Sequence, residues 1–103
     1  MKYGTLSSND KKIFRFYYLR ESDTQTIRYV GMTANLLSER LRGHLRPRPR
    51  ASRRSEWIKE VRKRGANIEI VLLEERFCWR RDALAIESDW KRRFKADGVP
   101  ILP

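Results

Sequence analysis

The stretch Ile27-Arg28-Tyr29-Val30-Gly31-Met32-Thr33-Ala34-Asn35-Leu36-Leu37-Ser38-Glu39-Arg40-Leu41-Arg42-Gly43-His44-Leu45-Arg46 changes its period partway along. Ile27 to Gly31 is short, β-branched and aromatic, and reads as a strand. From Asn35, placed to cap a helix, the pattern becomes helical, with Leu37, Leu41 and Leu45 four apart, until Pro47 stops it after Arg46. At about 100° per residue from Leu37, Leu41 and Leu45 lie near 40° and 80°, His44 near −20° and Arg40 near −60°. Two polar residues one turn apart therefore border the buried stripe. That geometry fits a site facing a sheet, and equally a satisfied core histidine beside a surface arginine.

Upstream, Ile13-Phe14-Arg15-Phe16-Tyr17-Tyr18-Leu19 is aromatic and β-branched on both sides, as an interior strand is, and Glu21 to Thr26 is turn material. The two strands make a hairpin. Residues 1–12 are polar and aperiodic and read as a loose arm, leaving residues 13–103 as the domain. Downstream, Arg46-Pro47-Arg48-Pro49-Arg50-Ala51-Ser52-Arg53-Arg54 reads as a cationic loop kept extended by its prolines. A second helix from Ser55 to Arg64 buries Trp57, Ile58 and Val61 and ends at Gly65. Ile68 to Leu73 is a third strand, and a third helix runs from Arg81 to Ala96 before Gly98 and Pro100. The expected fold is α+β of order ββααβα, a small three-stranded mixed sheet flanked by helices.

Composition bounds what such a domain does. Over 103 residues, 24 Lys and Arg face 13 Asp and Glu, a formal net charge of +11, and 17 of the cations are arginine. A field of that sign favours a polyanion, with nucleic acid ahead of a membrane surface because the helices need their apolar residues for the core. Arg42, Arg46, Arg48, Arg50, Arg53 and Arg54 are the candidate phosphate contacts. One cysteine, Cys78, and one histidine exclude an internal disulfide and a zinc finger. No secretory leader and no bilayer-length apolar run is present, so a cytoplasmic protein without a membrane partner is expected.

The third helix carries an anomaly. With Ala83 at zero, Trp90 and Phe94 fall near about −20° and 20°, and Glu87 near 40°, on the same apolar face. An unpaired buried carboxylate would protonate, so Glu87 needs either a metal ion or an arginine.

Taken together, Phe16-Tyr17, Tyr29-Val30-Gly31, Thr33, the helix from Leu37 to His44, Trp57-Ile58, Glu87 with Trp90 and Phe94, and Gly98 to Leu102 resemble the GIY-YIG nuclease family, across residues 13–103. That family includes intron homing endonucleases, some restriction enzymes and the incising subunit of bacterial nucleotide excision repair. The resemblance implies a DNA endonuclease using one divalent metal, Mg²⁺ or Mn²⁺. Tyr17 would activate the attacking water, with its pKa lowered by Arg40, and Tyr29 would hold the site or share that role. Arg40 would bind the scissile phosphate, His44 would assist proton traffic, and Glu87 would ligate the metal. Two positions depart from the family pattern: Arg15 replaces the first motif's glycine, and Pro103 stands where an asparagine usually supports the site. The second departure favours an alternative, a nucleic-acid-binding module of weak catalytic power that retains the fold.

Overall fold

The structure is a computed structural model and describes residues 11–103; the proposed arm at residues 1–12 lies outside it except for Lys11 and Lys12. Six elements follow in the order β1 (Lys12–Glu21), β2 (Ile27–Thr33), α1 (Leu37–Leu45), α2 (Arg53–Lys63), β3 (Ile68–Cys78) and α3 (Arg80–Ala96). The order ββααβα is the expected one. Lys12 already belongs to β1, where it pairs with Cys78.

β1 is the central strand, between β2 and β3. Both neighbours run antiparallel to it, so the sheet is antiparallel throughout rather than mixed. The reason lies in the connection: after α1 and α2 the chain returns to the free edge of β1, not to β2, so the parallel pair β2 and β3 never touch.

Alternation along β1 sorts its side chains onto two faces. Tyr17 and Leu19 pack with Trp57, Ile58, Val61 and Ile68 beneath α1 and α2. Phe14 and Phe16 pack with Ala83, Met32, Ile86 and Trp90 beneath α3. β3 is longer than its aliphatic core suggests, because Glu75 pairs across the sheet with Arg15 through a 2.9 Å salt bridge. A one-residue bulge in β3 opposite Phe16 and Tyr17 keeps both halves of the ladder in register.

Helix ends follow local chemistry. α2 begins earlier than expected, at a capping box in which the side chains and backbones of Ser52 and Ser55 satisfy each other, so Arg53 and Arg54 are helical and not in the loop. α1 is capped by Leu36 without a side-chain bond, not by Asn35. Gly65 and Gly98, with φ of 86° and 80°, stop α2 and α3 by reversing the chain in a conformation other residues resist. No helix among the described residues is long and apolar enough to cross a membrane.

Candidate active site

β1 delivers Tyr17 to the face covered by α1, and α1 delivers Arg40 and His44 back to it. The Tyr17 hydroxyl accepts from Arg40 Nε at 3.0 Å and lies 2.8 Å from His44 Nε2. Tyr17 is fully buried and His44 is 5% exposed. The helical reading that set Arg40 and His44 at the core margin therefore describes one connected site. Tyr29, from β2, completes an aromatic cluster, with its ring 5.2 Å from that of His44 and 6.3 Å from that of Tyr17.

Gly31 makes this convergence possible. It sits opposite Tyr17 across the β1–β2 pair. A Cβ there would lie 2.7 Å from the Tyr17 hydroxyl oxygen and 2.9 Å from Tyr29 Cε2. The tyrosine hydroxyl crosses the neighbouring strand only because that strand has no side chain at this point.

Burial pushes the Tyr17 pKa up to about 12; the Arg40 hydrogen bond opposes the rise, while the nearby Tyr29 and Glu87 add to it. Arg40 does pull this pKa down, as expected, but the net shift is upward because desolvation of a phenolate outweighs one cation. His44 is driven the other way, down to about 3, by burial and then by the charges of Arg40, Arg54 and Arg48. At neutral pH the pair is a phenol and a neutral imidazole. One hydrogen bond joins the hydroxyl to Nε2, its direction set by the imidazole tautomer, while Nδ1 is buried and has no partner among the described residues.

Glu87 is half-buried on α3. Among the described residues it forms no hydrogen bond and no salt bridge, so the arginine partner that its position equally allowed is not there. Its charge makes the smallest of the contributions that raise the Tyr17 pKa. No group of three or more His, Cys, Asp or Glu side chains gathers as a metal cage among the described residues. A single carboxylate as donor suits a hard cation that keeps several of its waters, as Mg²⁺ does.

The cationic residues divide into two groups. Arg54 does not reach outward from a loop: from α2 it donates to the Tyr29 hydroxyl at 3.3 Å and stacks 5.3 Å from its ring centre. Arg48 donates to the Gly43 carbonyl at 3.1 Å and so caps the C-terminal end of α1. Arg42, Arg46, Arg50 and Arg53 are exposed, and their side chains make no hydrogen bond or salt bridge among the described residues.

A small antiparallel sheet that gathers two tyrosines, an arginine and a histidine beneath an arginine-rich surface is the frame of a nuclease-type fold. The model of the GIY-YIG catalytic domain matches residues 14–99, and the chain belongs to this family. Its members are endonucleases that act on nucleic acid. Comparison with curated proteins and with solved structures finds no match.

Proposed function

We propose that the protein is a divalent-metal-dependent endonuclease that hydrolyses DNA phosphodiester bonds at the Tyr17 site. The observation that carries this reading is the Tyr17 hydroxyl held between Arg40 Nε at 3.0 Å and His44 Nε2 at 2.8 Å, with Glu87, unpartnered among the described residues, adding its charge to the rise of the phenol pKa. A merely structural cluster in so basic a chain would pair its carboxylate.

Each residue then has a task its environment supports. Arg40 gives Nε to the tyrosine, and its terminal nitrogens are the groups offered to a phosphate and to the charge that develops on it. Tyr17 stays a phenol at neutral pH, so it takes a proton from water by passing its own to His44 Nε2 in the same motion. His44 accepts because it is neutral. The phosphate bound to Arg40 offsets one of the cations that depress the imidazole, which raises its basicity when substrate is present. Tyr29 packs its ring against His44 and, with Arg54 on its hydroxyl, fixes the imidazole's orientation. Glu87 would hold Mg²⁺ or Mn²⁺, which supplies Lewis-acid stabilisation of phosphate charge and of the leaving oxygen. Arg42, Arg46, Arg50 and Arg53 hold the flanking strand.

The test is incubation of the purified chain with labelled single- and double-stranded DNA, with and without Mg²⁺ or Mn²⁺. Cleavage that needs the cation is the expected result. Binding without cleavage under any of these conditions would instead identify a nucleic-acid-binding module, the reading that Pro103 at the asparagine position favours.

A further inference from the structure

Beyond the site, the β1–β3 ribbon continues past the helices that cover it. Ile13 pairs directly with Phe77, and Trp79 follows at the start of α3. Ile13 is 49% exposed, Phe77 64% and Trp79 40%. α3 covers the opposite face here through Phe14, Phe16 and Cys78, while neither hydrophobic cluster takes up Ile13, Phe77 or Trp79. The Lys11 ammonium lies 5.8 Å from the Phe77 ring centre and 5.4 Å from that of Trp79, so both rings share one surface.

Charge decides what such a surface receives. Residues 11–15 and 74–82, which surround it, hold six cations and three carboxylates. Two of the carboxylates are engaged, Glu75 by Arg15 at 2.9 Å and Glu74 by Arg76 at 2.9 Å. Lys11, Lys12, Arg80 and Arg81 are exposed and in no salt bridge among the described residues. A second copy, itself +11, is repelled from an apolar patch ringed by these cations, whereas a polyanion with flat apolar faces is attracted. Nucleobases on a phosphate backbone have both properties.

Position links this patch to the site. Ile13, Arg15 and Tyr17 point to the same face of β1, and four residues of strand span about 13 Å. That is about four steps of a nucleic-acid strand, at roughly 3.4 Å each.

We infer that Phe77 and Trp79, with Lys11 and the neighbouring cations, form a stacking platform for unpaired nucleotides a few positions from the phosphate held at Tyr17. The inference rests on the nucleic-acid reading of that site and adds a preference to it: single-stranded segments are gripped here, and blunt duplex is not.

The test compares the full wild-type chain with the double variant Phe77→Ala, Trp79→Ala, without divalent cation, on a labelled oligothymidine and a labelled blunt duplex. Stacking on an aromatic changes affinity by about tenfold or more when the ring is removed. The double variant should therefore bind oligothymidine at least about tenfold more weakly and the blunt duplex within about twofold of wild type. The variant Phe77→Tyr, Trp79→Tyr should retain wild-type affinity for the strand, which separates stacking from a fold defect. Equal affinity of wild type and double variant for oligothymidine, or an equal loss on both probes, overturns the platform while leaving the nuclease reading standing. A wild-type dimer by sedimentation that the double variant breaks, with strand binding unchanged, overturns it in favour of a self-association surface. No binding of either probe by wild type overturns the platform and the nucleic-acid reading together.

Discussion

Glu21 and Glu87 are both carboxylates drawn toward the interior of a chain with a surplus of arginine, and they end in opposite conditions. Glu21 is 7% exposed and fully served: it accepts from Trp57 Nε1 at 2.6 Å, from the Thr24 hydroxyl at 2.7 Å and from Arg64 Nη2 at 2.7 Å. Burial raises its pKa, but these hydrogen bonds outweigh burial and hold it below the ordinary carboxylate value. Arg64 is shared with Asp23 at 2.9 Å, so the cluster clamps the β1–β2 turn to the end of α2. Glu87 has no hydrogen-bond or salt-bridge partner among the described residues, and at the site Tyr17 and His44 are held far from their ordinary proton affinities. The first cluster stabilises the fold. The second leaves His44 Nδ1 and Glu87 without partners among the described residues, beside the proposed phosphate and cation.

Substitutions should separate the two clusters. Tyr17→Phe keeps the ring and removes the hydroxyl, so turnover should fall by about 10² to 10⁴ while the fold and nucleic-acid affinity persist. Tyr18→Phe should be near neutral, since Tyr18 lies on the α3 face with its ring 6.0 Å from that of Phe94. If Tyr18→Phe were the inactive variant instead, the contrast drawn between the two faces of β1 would be wrong. Glu21→Ala should do the reverse, lowering stability in denaturant unfolding by about 3 kcal/mol and leaving turnover per folded molecule intact. Arg64→Ala should lose less, because its side chain is 38% exposed and its ion pairs are screened by solvent.

pH sharpens the same contrast. His44 has a folded pKa near 3 against an ordinary 6.5, so between those values the unfolded chain binds the proton and the folded chain does not. Its contribution to stability is complete above pH 6.5 and falls as the pH is lowered, by about 1.4 kcal/mol per unit, levelling near pH 3. As the single histidine, it gives one imidazole signal, which in the folded protein should not titrate between pH 8 and 5. A midpoint near 6.5 would mean the imidazole is solvated.

The smallest effects belong to the exposed arginines. Replacing Arg50 and Arg53 by alanine should reduce the log–log salt slope of duplex DNA binding by about 0.9 for each phosphate contact removed, with unchanged folding. Replacing Arg48, which caps α1, should also weaken the helix end. An unchanged slope after the Arg50 and Arg53 replacements would place the loop away from DNA.

Much of this was legible in the sequence because it rests on local rules. The leucine spacing of α1, the aromatic and β-branched run of β1 and the glycines ending α2 and α3 act within a few residues, and they set the element order. The placement of Arg40 and His44 on one helical face was legible for the same reason. What escaped depends on partners distant in sequence. Glu21 reads as turn polarity until Trp57 and Arg64 arrive from α2; its place two residues beyond Leu19 on the buried face was the available signal. Arg54 reads as loop charge until the Ser52 and Ser55 capping box makes it helical and turns it onto Tyr29. The rise of the Tyr17 pKa was not legible because it depends on how completely the ring is buried, which only the packing of α1 decides.

Glu87, unpaired among the described residues, is proposed to serve a cation and not the fold. The most direct measurement compares wild type and Glu87→Gln in three readings on one preparation: Mg²⁺-dependent cleavage of labelled DNA, DNA affinity without metal, and unfolding free energy. Cleavage should be abolished, affinity unchanged or tighter because a negative charge has left a phosphate site, and stability changed by less than about 0.5 kcal/mol. Cleavage equal to wild type, or a stability loss on the order of 3 kcal/mol as expected for a broken buried ion pair, would contradict the proposal.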